Sequence, residues 1–316
     1  MKKALLLLGV VFAFGLISLQ AQETFPYNGI KDQRDGWYAF TNATVIPQAG
    51  ERIDNATLII KEGRIISLKA GGAVPAGAIE INVAGKYIYP SFVDAYAEYG
   101  LPEATPAGAR PRLKPQMKSN KEGAYSWNEA LKPECRAHEH FQPDGKAAGS
   151  LRAMGYGTLS SHQQDGISRG SSTIVSLGDG RPHELILKAQ GGHYMSFRKG
   201  VSTQSYPNSL MGIIALLRQT YLDANWYNNN EVDDTNLSLA AWNEVQELPQ
   251  IFAVGDWQEA LRAQRIAEEF DQTYIIKGNG DEYQRLEDLK TSGASFIIPV
   301  KFPEAYDVAD PYEAHQ

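Results

Sequence analysis

From residue 248 to residue 300 the chain reads LPQIFAVGDWQEALRAQRIAEEFDQTYIIKGNGDEYQRLEDLKTSGASFIIPV. Three short apolar runs, 250–254, 273–276 and 295–300, alternate with two segments of helical period, 257–270 and 282–290. The spacers are too long for hairpin turns and long enough for a crossover helix, so this stretch is constrained to parallel βα units. Further strand candidates lie at 88–95, 157–161 and 173–177, and the apolar face of residues 211–221 predicts another helix.

The segment before residue 89 has a different texture. Residues 37–46 and 79–83 alternate in the manner of strands, and NATLIIKEGRIISL at 55–68 places two apolar runs around a turn in which Gly63 can supply a positive φ. A small β module is expected there. Residues 102–121, rich in proline, glycine and basic side chains without periodicity, read as a long exposed loop.

The N-terminus carries Lys2 and Lys3, an uncharged apolar run over residues 4–19 and a small residue at Ala21. This is the pattern of a secretory signal peptide, residues 1–21, cut after Ala21. The apolar run is shorter than the ~20 residues a spanning helix needs, which places the mature chain in the periplasm or outside the cell with no membrane association. Without Lys2 and Lys3 the chain has 28 basic and 37 acidic residues, a formal charge of −9. Such a surface argues against nucleic acid as a partner. The single cysteine, Cys135, excludes an internal disulfide.

The block G-K-x-I-x-P-x-x-V-D at 85–94, between the β module and the βα units, resembles the opening of the amidohydrolase superfamily. The likeness is greatest to the secreted imidazolonepropionase-like members of Gram-negative bacteria. L-R-x-x-G-x-x-T at 151–158, D-G-I-S-R-G at 165–170 and A-L-L-R-Q at 215–219 add to it. The resemblance implies an α/β chain with a small β-sandwich over 22–88 and a (β/α)8 TIM-type barrel over 89–316, incomplete at its carboxyl end. It also implies metal-dependent hydrolysis of C–N bonds other than peptide bonds, with zinc or another divalent ion as the cofactor.

In that family the first barrel strand ends in H-x-H. Side chains two apart on a strand share a face, so the pair points toward the barrel axis at its catalytic end. This chain has Tyr96 and Glu98 there. The family's histidines on strands five and six fall, by pattern, on Ala253 and Lys277. A catalytic zinc needs about three protein ligands and an open position, and one carboxylate does not meet that need. No cofactor is therefore expected in this segment.

Other candidates are weaker. Glu134, Cys135, His138, Glu139 and His140 concentrate ligand types in a short stretch, which reads as a polar surface helix or a zinc site. His162 follows a predicted strand and reads as a loop residue or as a group at the barrel mouth. Gly178, Gly180, Gly278 and Gly280 lie in turns without the G-K-S/T of a phosphate loop. Ser171 and Ser172 lack a G-x-S-x-G elbow. Trp226, Tyr227 and residues 228–230 read as a polar loop with anchoring aromatics, or a sugar-binding one.

Three functional readings stand. The first is a non-catalytic module, a pseudoenzyme, partnered by a catalytic amidohydrolase module in the same chain or a separate one. The second is an active periplasmic hydrolase with an unusual metal site built from Glu98, His162 and the His138/His140 pair. The third is a periplasmic ligand-binding or interaction domain.

Overall fold

The computed structural model describes residues 36–105, 115–231 and 233–300. The expected signal peptide, residues 106–114 of the expected loop, His315 and the end of the chain lie outside the described residues. The chain divides into two compact units, Met1–Pro90 and Ser91–Gln316.

In the first unit, strands β1 (Trp37–Val45), β2 (Ile53–Lys61), β3 (Arg64–Ala70), β4 (Ile79–Asn82) and β5 (Tyr87–Ile88) form one sheet in the order β3-β2-β1-β4, with β5 also paired to β1. These described strands are joined by hydrogen bonds into one five-stranded sheet. The β2–β3 turn has positive φ at both Glu62 and Gly63, as a two-residue hairpin of matching twist requires.

The second unit begins with β6 (Phe92–Ala97), whose start is set by Pro90. Then come α1 (Ala137–His140), α2 (Gly145–Ala153), β7 (Tyr156–Ser161), β8 (Ser168–Ser171), β9 (Thr173–Ser176), α3 (Pro182–Leu185), β10 (Ile186–Lys188) and β11 (His193–Ser196). The chain continues through α4 (Leu210–Asn229), α5 (Leu237–Val245), β12 (Gln250–Ala253), α6 (Trp257–Glu269) and β13 (Tyr274–Lys277). A 3₁₀ turn (Glu282–Arg285), α7 (Leu286–Thr291) and β14 (Ser295–Ile297) follow.

The βα units read from the sequence are present: β12, β13 and β14 pair in parallel, with α6 and then α7 as crossovers, and β11, not read from the sequence, adds a further parallel strand beside β12. Two expectations change. Residues 173–177 were expected to be a parallel strand, but β9 runs antiparallel to β7 and forms a hairpin with β10. No helix lies between β7 and β9, and a parallel return needs a longer crossover. Trp226 to Asn229, expected in a loop, form the last turn of α4. The described residues of this unit form two sheets, β10-β9-β7-β6 and β14-β13-β12-β11-β8.

The larger core lies around the second sheet, where Met195, Phe252, Tyr274 and Ile276 meet Leu217 and Tyr221 of α4, Trp242 of α5 and Ile266 of α6. The buried Tyr221 and Tyr274 hydroxyls share a hydrogen bond of 2.6 Å. Helix starts follow side-chain caps: Ser209 accepts from the Gly212 amide, Asn236 from Leu239 and Asp256 from Glu259. At Gly170 φ is +73° and a Cβ would stand 1.9 Å from the Cys135 carbonyl oxygen, so β8 can approach that segment only with glycine there.

A candidate site at the strand ends

Parallel register aligns the carboxyl ends of four strands. Ser196, Ala253, Lys277 and Ile297 are neighbours across β11, β12, β13 and β14. Of the expected ligand positions on these strands, Ala253 has no donor atom and Lys277 carries a positive charge.

Tyr96, near the end of β6, shares its environment with Lys277, whose Nζ stands 5.1 Å from the Tyr96 ring centroid. The Arg169 guanidinium on β8 donates from Nη1 to the Tyr96 hydroxyl at 2.5 Å. His162, just after β7, meets the Tyr96 ring edge-on at 4.7 Å and stacks on Tyr194 of β11 at 3.7 Å. The Tyr194 hydroxyl donates to the Ala95 carbonyl at 2.6 Å and lies 2.9 Å from the Ser160 hydroxyl. Two side chains matched by pattern to family ligands, Tyr96 and Lys277, thus come together around a phenol and two cations. Glu98 is exposed and turned to other work, accepting from the Gln164 amide at 3.1 Å.

His162 was expected either in a loop or at the barrel mouth. It is wholly buried, and neither ring nitrogen has a hydrogen-bond partner. Burial, and then the positive charge of Arg169, hold its imidazole well below the ordinary pKa, in the neutral form. His193 is equally buried but fully engaged: Nδ1 lies 2.8 Å from Gln250 Oε1 and Nε2 lies 2.9 Å from Ser168 Oγ. Gln250 Nε2 donates to the Val245 and Leu248 carbonyls, which leaves its Oε1 as the acceptor and assigns the proton to His193 Nδ1. Burial lowers the His193 pKa to about 4, opposed by the Gln250 bond.

These donors do not fit a divalent metal. The phenol is taken by a guanidinium, a lysine stands where an imidazole would be, and two positive charges repel a third. Among the described residues no group of three or more histidine, cysteine, aspartate or glutamate side chains is arranged to hold a metal ion.

Within the Glu134 to His140 stretch only Ala137–His140 form a helical turn, α1, and Glu134, Cys135, Glu139 and His140 line a cleft of about 510 Å³ together with Lys121, Glu129 and Lys132. His138 and His140 are two apart on that turn and do not face each other, which separates them as ligands. Glu134 is paired to Lys121 and Asp165 to Lys132. Burial raises the Cys135 thiol pKa. In the Gly278 turn, Glu282 already accepts from the Asn279 and Gly280 amides at 2.7 and 2.9 Å, so those donors are not offered to a phosphate. Ser172 accepts from Ser160 within the buried network, and Tyr227 accepts from the Asn236 amide, so neither side chain is presented as a nucleophile or a sugar platform.

Arg169 was not among the residues singled out from the sequence. Its only signal was its place in the D-G-I-S-R-G turn.

The structure is similar to that of an amidohydrolase from Thermotoga maritima MSB8, with a TM-score of 0.64 and 20% sequence identity over 85% of this chain and 72% of that one. A prolidase complexed with N-methylphosphonate-L-proline matches at a TM-score of 0.35 and 11% identity over 83% of this chain and 78% of that one, too loosely to support an argument. No family model matches the sequence, and no curated protein matches it. The likeness extends over most of the chain but concerns backbone architecture alone, and at that level the protein has the fold of an amidohydrolase.

Proposed function

We propose that this chain is an exported module of the amidohydrolase superfamily, built on a (β/α) barrel, that carries no metal centre and acts as the non-catalytic partner of an amidohydrolase module. One observation carries the reading: Tyr96 and Lys277 pack against each other with Arg169 bonded to the phenol. The protein's own cations occupy the strand ends where the family resemblance implies a metal. The likeness to the T. maritima amidohydrolase supports the superfamily assignment. The signal-peptide pattern at residues 1–21 supports export.

Elemental analysis after expression with added zinc, manganese or iron tests this. The expected content is below about 0.1 metal per chain; about one per chain, lost on Glu98→Ala, would overturn the reading and make Glu98 a ligand.

A further inference from the structure

Arg169 is only 6% exposed. Its Nε donates to the Gly166 carbonyl at 3.3 Å and its Nη1 to Tyr96. Among the described residues no carboxylate pairs with it. The acidic groups close in sequence to Arg169 or to its partner Tyr96 are engaged: Asp94 accepts from the Tyr96 amide at 2.9 Å, Glu98 from Gln164, and Asp165 is paired with Lys132 and accepts from the Val201 amide. A buried guanidinium is ordinarily held by a counter-charge. Here that counter-charge is missing from its described surroundings.

The groups around it are donors as well. Tyr96 accepts from Arg169, and its own hydroxyl hydrogen has no acceptor among the described residues. His162 is neutral and has a ring N–H with no partner. The Lys277 ammonium lies 5.1 Å from the Tyr96 ring centroid. The Arg169 charge and the unpaired Tyr96 and His162 donors therefore lie close together, where a ligand supplying acceptors and one negative charge would complete them.

We propose that Arg169 and Tyr96 form the anchor of a binding site for a small molecule bearing a carboxylate, with Lys277 and His162 beside it. The inference rests on the metal-free reading of the strand ends given above. A planar carboxylate matches the fork of a guanidinium in a way that a spherical anion does not.

The test is thermal unfolding of the full chain in sodium acetate, in sodium phosphate and in sodium chloride at equal ionic strength, with metal content measured on the same samples. Acetate at ten times its Kd is expected to raise Tm by about 3–6 °C above the chloride control. Arg169→Met should abolish the response. Because that variant removes a buried group and can fail to fold, Tyr96→Phe is the second arm. It keeps the guanidinium, removes one donor, and should raise the half-saturating acetate concentration about tenfold.

A response to phosphate alone would overturn the carboxylate assignment. An unchanged Tm in acetate, or Tyr96→Phe titrating as wild type does, would overturn the anchor while leaving the metal-free reading intact. A sample holding about one metal per chain would overturn both.

Discussion

Two wholly buried histidines show how differently the same side chain can be held. His193 is bonded on both ring nitrogens, whereas His162 lies between aromatic rings with neither bonded. Both are neutral in the fold, and His193 sets a measurable pH dependence. Unfolded, its imidazole takes a proton near 6.5; folded, it does so only near pH 4. Between those values the unfolded chain binds more protons. Stability should therefore fall as pH drops from about 6.5 to about 4, by about 3 kcal/mol from this residue. Urea midpoints measured across that range check this. His193→Gln should flatten the slope, leaving the part due to His162, which acts in the same direction; an unchanged slope would refute the assignment. At this scale three of the four residues of the candidate site, Tyr96, Lys277 and His162, could be singled out from the sequence. The family resemblance, matched by pattern, singled out Tyr96 and Lys277 as strand-end positions. Arg169 was hidden because its partner Tyr96 is 73 positions away and no local pattern joins the two.

Helix α6 shows why some elements were legible. Asp256 caps it by accepting from the Glu259 amide at 2.7 Å, and Ala260, Ala263, Ile266 and Ala267 form its buried face. Cap and period agree, so the element can be read without its neighbours. Asp256→Ala should cost about 1 kcal/mol in chemical denaturation, with Asp256→Asn retaining most of the stability. A loss below experimental error would show that packing alone sets the helix start. Strands β8 and β11 gave no such signal. SRGS and HYMS are buried at every position and mix polar with apolar side chains, so neither alternation nor an apolar run marks them. Helix α2 was obscured in another way, by Gly145 and Gly149 within it.

Across the second unit, β6 and β14 are the outer strands of their sheets among the described residues. Apolar side chains are exposed there: Phe92 at 64% and Val93 at 67% on β6, and Ile298 at 63% just after β14. Exposed edges of this kind favour intermolecular pairing. The full chain should therefore associate with rising concentration, and Val93→Lys should reduce that association. Sedimentation across about 1–100 μM decides the matter, and a wild-type monomer throughout would refute it. The phenol held by Arg169 also bears on how a metal set could be built at these strands. Tyr96→His alone would remove the guanidinium's acceptor and set an imidazole beside two cations. Lys277→His alone would leave Arg169 in place, and Ala253→His would add one ligand with no companion. No single step yields a coordination set, while a step at Tyr96 disturbs a contact already made. On the proposed metal-free reading, building a metal set at these strands is a valley crossing that requires several coordinated changes.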